Sequence, residues 1–187
     1  MKKLLTLTAL VAMMHPSFAQ PAKPTYAYYE GFNISMGVAQ NNTKDVTNAT
    51  SLSTSVGQAK VNYTFALAYP AKLGVSATFD LRNSQINTTE NLSTSTPTEL
   101  TIEPGVLLMS NSLLYGKFGT YNTRYESGTS VSRNLNGTAV GVGIKHYVYG
   151  QNFIQAEWTQ RSAENNNAGS TGKFKQSAAA LLVGFNF

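Results

Sequence analysis

Apolar residues alternate with small or polar residues in segments of strand length, and this pattern constrains the fold more than any other feature. The clearest example is the segment 58–69. Val61 and Tyr63 share one face of this segment, while Lys60 and Asn62 share the other. A side-chain period of two is the repeat of a β-strand with two different environments. The pattern predicts strands at residues 29–39, 58–69, 73–81, 99–108, 113–125, 136–148, 153–162 and 174–187.

The connections between these strands alternate in length. Tight turns are predicted at residues 70–72, 109–112 and 149–152, and long polar loops at 40–57, 82–98, 126–135 and 163–173. Strands of about ten residues, with short turns at one end and long loops at the other, are the architecture of barrels that cross an outer membrane. The sequence therefore predicts an all-β fold, an eight-stranded antiparallel up-and-down transmembrane β-barrel.

The charged residues of the strands lie on the face that carries the small side chains. They are Lys60, Asp80, Glu103, Lys117, Lys145, Glu157 and Arg161. A soluble eight-stranded barrel of the lipocalin type would direct its apolar faces inward to a ligand. Here the bulky Phe, Ile, Leu and Val residues occupy the other face, so we expect that face to contact lipid and the charged face to line the interior.

An eight-stranded barrel has room for side chains in its interior but not for an open channel. Charges in a poorly hydrated interior must be paired, because an isolated buried ion is very unfavourable. We expect a structural charge network in which Glu103 and Lys117 pair across a tight turn. The alternative is that the same groups line a narrow porin-like path for ions or small solutes.

Aromatic residues are expected to form two girdles, one at each membrane interface. The girdle near the short turns would contain Tyr28, Tyr29, Tyr69, Tyr147, Tyr149, Phe153, Phe185 and Phe187. The girdle near the long loops would contain Phe79, Tyr121, Tyr125, Trp158 and Phe174.

The N-terminus has the composition of a secretory signal peptide. Two lysines precede a short apolar run, which ends at the sequence Ser-Phe-Ala before Gln20. The apolar run is too short to form a membrane-spanning helix. We predict a signal peptide at residues 1–19, cleaved between Ala19 and Gln20, followed by a short periplasmic lead-in at 20–28 and the barrel at 29–187.

Composition argues against several functional classes. The chain has no cysteine, so it has neither a disulfide framework nor a thiolate metal site. Its net charge of +5 includes two lysines of the predicted signal peptide, and this small excess argues against a nucleic-acid partner. A Ser-His-acid hydrolase needs a serine and a carboxylate near its histidine. His146 has neither at strand-neighbour spacing and is expected to face lipid, so no catalytic residue, metal site or cofactor is predicted.

The last predicted strand alternates Phe187, Phe185 and Val183 with Asn186 and Gly184. A buried terminal strand of a soluble sandwich is one explanation of this pattern. The strand also resembles the closing strand of bacterial outer-membrane barrels, whose C-terminal Phe in an alternating aromatic pattern is an assembly signal. That resemblance implies that Phe185 and Phe187 are recognised by the barrel-assembly machinery.

Four segments resemble the small eight-stranded outer-membrane barrels of the opacity/OmpA-like and OmpX-like type. Their sequences are ELTIEPG at 99–105, LLYGKFG at 113–119, GTAVGVG at 137–143 and FIQAEW at 153–158. The resemblance implies a place in the outer membrane of a Gram-negative bacterium, in contact with its lipid and lipopolysaccharide. It also implies a structural or surface-interaction role without catalysis, adhesin-like or in envelope integrity, with an extracellular ligand bound through the long loops. A narrow porin-like channel is the alternative role within the same family.

Overall fold

The computed structural model describes residues 29–45, 51–87, 92–127, 131–164 and 173–187. These residues form strands that pair in antiparallel fashion throughout. The strands are β1 (Gly31–Asp45), β2 (Ser51–Ala68), β3 (Ala71–Asp80), β4 (Ser84–Asn87), β5 (Leu92–Met109), β6 (Ser112–Ser127), β7 (Val131–Tyr149), β8 (Asn152–Glu164) and β9 (Lys173–Asn186).

The strands close into one barrel. The long strands pair with their neighbours along the chain, and β9 pairs with β1 to complete the ring. The short strand β4 continues the line of β3, because both pair with β5, and β4 does so farther from the short-turn end. β3 and β4 therefore act as one interrupted strand of the ring. The predicted eight-stranded antiparallel up-and-down barrel is confirmed.

Inward and outward residues alternate along the strands, as the side-chain period requires. In β3, Lys72, Ser76 and Thr78 are buried, whereas Val75 and Phe79 are exposed. A belt of exposed apolar side chains surrounds the barrel and includes Phe32, Ile34, Met36, Val38, Tyr63, Phe65, Ile102, Phe118, Val142, Ile154 and Leu181. Water would strongly disfavour so large an apolar surface, so this belt is the lipid-facing surface that the sequence predicts.

The strands extend well beyond the predicted membrane segments, so the prediction of a long loop at 40–57 was wrong. β1 and β2 stay paired as far as Lys44↔Ser51, and only residues 46–50 lie outside the described part of the chain. Beyond the lipid-facing belt the outer face carries exposed polar residues such as Gln40 and Asn42, while the buried inner face carries Asn41 and Thr43, so neither face needs to be apolar. The apolar alternation that reveals a strand therefore disappears there, although the hydrogen-bonded ladder continues.

The loops predicted at 82–98, 126–135 and 163–173 were also too long, for the same reason. Strand pairing continues into each of them, and only residues 88–91, 128–130 and 165–172 are outside the described ranges. At the other end of the barrel, the strands are connected by turns of two residues, at 69–70, 110–111 and 150–151. The contrast between short turns at one end and longer extensions at the other is therefore confirmed.

The segments before the barrel lie outside the residues that the structure describes. They are the predicted signal peptide at 1–19, with its cleavage between Ala19 and Gln20, and the lead-in at 20–28. In the part of the chain that is described, no helix is long and apolar enough to cross a membrane.

Candidate functional site

The interior of the barrel holds a dense set of charged side chains. The seven residues predicted for the interior all lie there, each with at most 6% of its surface exposed: Lys60, Asp80, Glu103, Lys117, Lys145, Glu157 and Arg161. A further buried carboxylate, Glu99, is 1% exposed and belongs to the same network. The sequence-based prediction missed Glu99.

The half of the network nearer the extracellular end is built around Arg161 of β8. Its Nη1 lies 2.8 Å from Asp80 Oδ2, and its Nε lies 2.5 Å from Glu99 Oε1. The planar guanidinium thus binds two carboxylates from different strands at once, which is the geometry that suits arginine better than lysine. Lys117 Nζ, 3.1 Å from Glu99 Oε2, joins this half to the next.

The other half of the network is built around Glu157 of β8. Lys117 Nζ lies 2.8 Å from Glu157 Oε2, and Lys60 Nζ contacts Glu157 Oε1. Lys60 Nζ also lies 2.6 Å from Glu103 Oε1. The two halves therefore form one unbroken series of alternating charge, which we call the ion series: Asp80, Arg161, Glu99, Lys117, Glu157, Lys60 and Glu103.

The predicted ion pair between Glu103 and Lys117 is not the one that forms. Glu103 pairs with Lys60, while Lys117 pairs with Glu99 and Glu157. Both residues do point inward from the adjacent strands β5 and β6, as predicted. In so narrow a barrel, however, a lysine side chain reaches carboxylates across the interior as easily as one on its neighbour. Strand adjacency alone therefore does not select the partner.

Glu99 balances the charge of the interior. The predicted set contains four cations and three anions, and with Glu99 this set has four of each; Lys72, which is also buried and was also missed, pairs separately with Glu30 at 2.5 Å. The burial of Glu99 could have been predicted from the sequence, because Glu99 lies on the same strand face as Thr101 and Glu103. A charge count on the inner face would have drawn attention to it, since an uncompensated charge in this interior is very unfavourable.

Neutral polar side chains complete the hydrogen bonding of the carboxylates. Glu157 Oε1 accepts from Tyr115 Oη at 2.5 Å and from Gln155 Nε2 at 2.6 Å. Asn41 and Gln58 donate to Asp80, and Asn62 and Ser76 donate to Glu103. Gln176 Oε1 accepts from the Arg161 guanidinium. Buried ion pairs are stable only when such groups satisfy their remaining lone pairs and protons.

Lys145 stands apart from the ion series. Its Nζ donates to Asn33 Oδ1 at 2.7 Å and lies 4.6 Å from the centroid of the Phe153 ring. Asn33 in turn donates from Nδ2 to Asn186 Oδ1 at 3.3 Å. An amide oxygen and an aromatic face thus bind this ammonium, in place of the carboxylates that bind the other interior cations.

An aromatic cluster, which we call the periplasmic plug, fills the interior below the ions. It consists of Tyr29, Leu107, Leu113, Tyr115, Tyr147 and Phe153. The Tyr29 and Tyr147 rings meet edge to face with centroids 4.6 Å apart, and the Tyr147 and Phe153 centroids are 5.4 Å apart. These contacts pack aromatic rings inside the barrel near the short-turn end.

The periplasmic plug corrects part of the predicted girdles. Tyr29, Tyr147 and Phe153 were assigned to the membrane interface, but they point inward and are buried. Tyr121, assigned to the other girdle, is also buried, and Arg161 lies 5.4 Å from its ring centroid. Alternation along the strand decides whether an aromatic side chain points into the barrel or out to the lipid. The girdle prediction considered only the position of each residue along the membrane normal.

Several other predicted girdle residues do lie on the outer surface. Tyr69, Tyr149, Phe79, Trp158 and Phe187 are exposed there. They therefore have the position that membrane-interface aromatics require.

His146 has a serine neighbour that the sequence analysis did not predict. Ser112 is the first residue of β6 and is the register partner of His146, and Ser112 Oγ lies 2.9 Å from His146 Nδ1. The prediction placed Ser112 in a longer turn and so overlooked the pair. On the other side of the imidazole, Asn111 Nδ2 lies 3.4 Å from His146 Nε2. Across the described residues, no group of three or more His, Cys, Asp or Glu side chains is arranged to hold a metal ion.

Solved structures share this fold. Ail, the attachment invasion locus protein of Yersinia pestis, is 17% identical over 84% of this chain and 99% of its own, with a TM-score of 0.61. Its complex with the heparin analogue sucrose octasulfate gives 20% identity over the same shares and a TM-score of 0.59. Neisserial surface protein A is 11% identical over 84% of this chain and 98% of its own, with a TM-score of 0.65. No curated protein matches the sequence significantly.

The family comparison is more direct than these structural likenesses. The family described as outer membrane protein beta-barrel domain matches residues 5–187, which is nearly the whole chain. This match agrees with the closed barrel, its apolar belt and its polar interior. The chain therefore belongs to the outer membrane protein β-barrel domain family and is an outer-membrane β-barrel.

Proposed function

We propose that the protein is a surface protein whose filled, non-conducting barrel supports extracellular strands that contact partners. Its role would be adhesin-like or in envelope integrity, without catalysis. The observation that carries the proposal is the ion series, which runs from Asp80 to Glu103 with the periplasmic plug below it. These side chains occupy the space that a solute would need inside an eight-stranded barrel.

The extracellular extensions are the region available to partners. On the outer side of the β1–β2 hairpin, Gln40 Nε2 donates to Ser53 Oγ at 2.5 Å. Ser55 Oγ donates to Gln40 Oε1 at 2.6 Å. These bonds hold exposed polar groups in a fixed row, which lowers the entropy cost of binding a ligand. We infer that this hairpin, within the predicted ligand region 40–57, is the first contact surface, assisted by 82–98, 126–135 and 163–173.

A sulfated saccharide is the first ligand class to test. The similar Ail structure contains the heparin analogue sucrose octasulfate, and that ligand is a property of Ail. Binding of sucrose octasulfate to the barrel in lipid nanodiscs would be compared between the wild type and a variant with its β1–β2 hairpin shortened to the membrane surface. A matched variant would keep the hairpin and lose residues 165–172. Loss of binding in the first variant alone would support the β1–β2 hairpin as the contact surface. Equal binding by both variants would contradict that assignment.

A second candidate function is a narrow channel for ions or small solutes. It is favoured by Gln58 Oε1 and Thr78 Oγ1, which are buried and lack a hydrogen-bond partner among the described residues. Such atoms commonly bind ordered water, which would then enter the extracellular half of the interior. A conducting path would still have to pass the contact of Lys60 with Glu157 and then the periplasmic plug.

Planar-bilayer recordings of the refolded barrel distinguish these two functions. The filled barrel is expected to give no conductance steps of stable size, in the wild type or in Glu103→Gln. A channel would give stable steps whose ion selectivity changes in Glu103→Gln, because the charge at this position would then face the conducting path. That result would contradict the surface-protein proposal in favour of the channel.

The route of the protein to the membrane is a further part of this proposal. Removal of residues 1–19, by cleavage between Ala19 and Gln20, would release the barrel into the periplasm. Phe185 and Phe187 would then be recognised by the barrel-assembly machinery. In the folded barrel the Phe187 ring is exposed and lies 5.1 Å from Phe185 and 5.9 Å from Phe32, centroid to centroid. This position in the outer aromatic belt supports a role for Phe187 in recognition rather than in interior packing.

A further inference from the structure

The ring closes at the ladder between β1 and β9, which we call the seam. The inner side of the seam carries small or apolar buried residues, among them Ala39, Ala180 and Leu182. Neither strand contributes a member to the ion series. Opening of the seam would expose the unpaired backbone groups of two strand edges to lipid. A side-chain contact that reaches from one side of the seam to the other would oppose such opening.

The ion pair between Lys60 and Glu157 spans the seam. Lys60 belongs to β2 and Glu157 to β8, and on the shorter way round the ring the strands between them are β1 and β9. In a sheet opened at the seam, β2 and β8 would lie near opposite edges, so the ring must close before this ion pair can form. The ion pair of Lys117 with Glu99 is different, because it joins the neighbouring strands β6 and β5.

Lys145, which stands apart from the ion series, makes a second contact across the seam. It belongs to β7, and its ammonium passes over the Phe153 ring of β8 to donate to Asn33 Oδ1 of β1 at 2.7 Å. The Phe153 ring lies over Gly184 of β9, where a Cβ atom would collide with it. Asn33 Nδ2 donates in turn to Asn186 Oδ1 of β9. Side chains from four consecutive strands of the ring therefore form one layer across the seam.

We propose that the contacts Lys60–Glu157 and Lys145–Asn33 form a seam clasp, which holds the ring closed between β1 and β9. Both contacts require strands that only closure brings together, so pairing of the interior charges and closure of the ring stabilise each other. The clasp goes beyond the proposed function, because it depends neither on an extracellular partner nor on the absence of conduction. It also gives Lys145 a role, since β1 offers this ammonium an amide oxygen rather than a carboxylate.

The test is amide hydrogen exchange of the folded protein in nanodiscs, followed by NMR. It compares exchange in the β1–β9 ladder with exchange in the β6–β7 ladder of the same sample. Three charge-balanced variants share Glu103→Gln and differ in the lysine that is changed: Lys60→Met, Lys145→Met or Lys117→Met. The first two each remove one contact of the clasp. The third is the matched control, because it removes an interior lysine and leaves both clasp contacts in place.

The ratio of the two exchange rates is expected to report the clasp. Loss of one buried charge-assisted hydrogen bond should raise the rate in the β1–β9 ladder, relative to the β6–β7 ladder, by about tenfold in the Lys60→Met and Lys145→Met variants. The Lys117→Met variant should keep the wild-type ratio even if its overall stability falls. An unchanged ratio in both clasp variants, or an equal rise in the control, would overturn the proposal.

The wild type gives a test that does not depend on the folding of any variant. If the clasp holds the seam, amides of the β1–β9 ladder should exchange about as slowly as those of the β6–β7 ladder, which joins strands that are consecutive in the chain. Exchange that is about tenfold faster at the seam of the wild type would show that the interior contacts do not hold it closed, and would also overturn the proposal.

Discussion

Glu157 contacts four hydrogen-bond donors in the described interior, and two of them are lysines. It accepts from Lys60, Lys117, Tyr115 and Gln155, and it joins the two lysines into one continuous network. Its removal leaves two buried ammonium groups with fewer acceptors in a site that water does not reach readily. A buried ion pair contributes little net stability, but breaking one by removal of a single partner is strongly destabilising.

The first prediction concerns Glu157→Gln. The variant is expected to lose about 3–5 kcal/mol of unfolding free energy, because the interior gains an uncompensated positive charge. Urea titration of the refolded barrel in lipid would measure this loss. Gln160→Ala, on the exposed face of the same strand, is the matched control and should change stability by less than about 0.5 kcal/mol.

Double variants test whether pairing is the cause. Adding Lys117→Met to Glu157→Gln restores neutrality and leaves Lys60 with Glu103 and Glu99 with Arg161. This double variant should recover much of the loss. Adding Lys60→Met to Glu157→Gln also restores neutrality, but it leaves Glu103 without its lysine and should recover much less. Equal recovery by both would mean that total charge, rather than specific pairing, determines stability.

Side-chain parity is what made the interior charges predictable from the sequence. Lys60, Lys117 and Arg161 share their strand faces with small or polar residues, so their burial follows from alternation alone. Glu99 was missed because it is the first residue of its predicted strand, although it alternates in step with Thr101 and Glu103 of the inner face. Pairing could not be predicted, because it depends on which side chains meet across the barrel rather than on the separation of residues along the chain.

At the scale of the strands, glycine allows the barrel wall to curve tightly. At Gly137 of β7 a Cβ atom would lie 1.8 Å from the Ser162 backbone oxygen of β8, which is far inside contact distance. Gly137→Ala is therefore expected to cost about 2–3 kcal/mol, because the two strands must separate. Gly57→Ala is the control, since its Cβ would meet Leu81 at an ordinary 3.5 Å. Similar urea midpoints for the two variants would contradict this account of strand curvature.

The closing strand supplies a prediction about assembly rather than stability. Phe187 is 66% exposed, so its deletion removes little buried surface and should change the unfolding free energy by less than about 1 kcal/mol. The level of folded protein in the outer membrane should nevertheless fall strongly, because the barrel-assembly machinery is proposed to recognise Phe187. Cell fractionation would measure that level, with deletion of the exposed Val148 side chain by Val148→Ala as the control. A normal level of the Phe187 deletion would contradict the assembly role.

The strands were predictable only where lipid requires an apolar face. In β1, alternation from Phe32 to Val38 predicts the membrane segment, and the structure adds Gln40 to Asp45 beyond it. Ser, Thr and Asn in the extension fit either a strand or a loop, so their composition cannot decide between them. The decisive contribution is the backbone ladder with β2 and β9, and a ladder has no signature in a single sequence.

At the scale of the whole molecule, the barrel is apolar on its outer surface and polar on its inner surface, the reverse of a soluble barrel. The outer surface is apolar because lipid replaces water there, and the inner surface carries paired charges because its side chains are buried. Neither surface is stable without ring closure, since an open sheet would expose unpaired backbone groups to lipid. Closure between β9 and β1 is therefore the step on which the fold depends.

The last prediction follows from that closure. A closed barrel has no free edge from which to unzip, so detergent without heat should leave it folded and compact. The unboiled protein is expected to migrate faster in a detergent gel than the boiled protein, with a β-rich circular dichroism spectrum that boiling abolishes. A chain that lacks 173–187, and so cannot pair β9 with β1, should migrate at one position with or without boiling. Identical migration of the boiled and unboiled full-length protein would show that the ring does not persist as a closed unit.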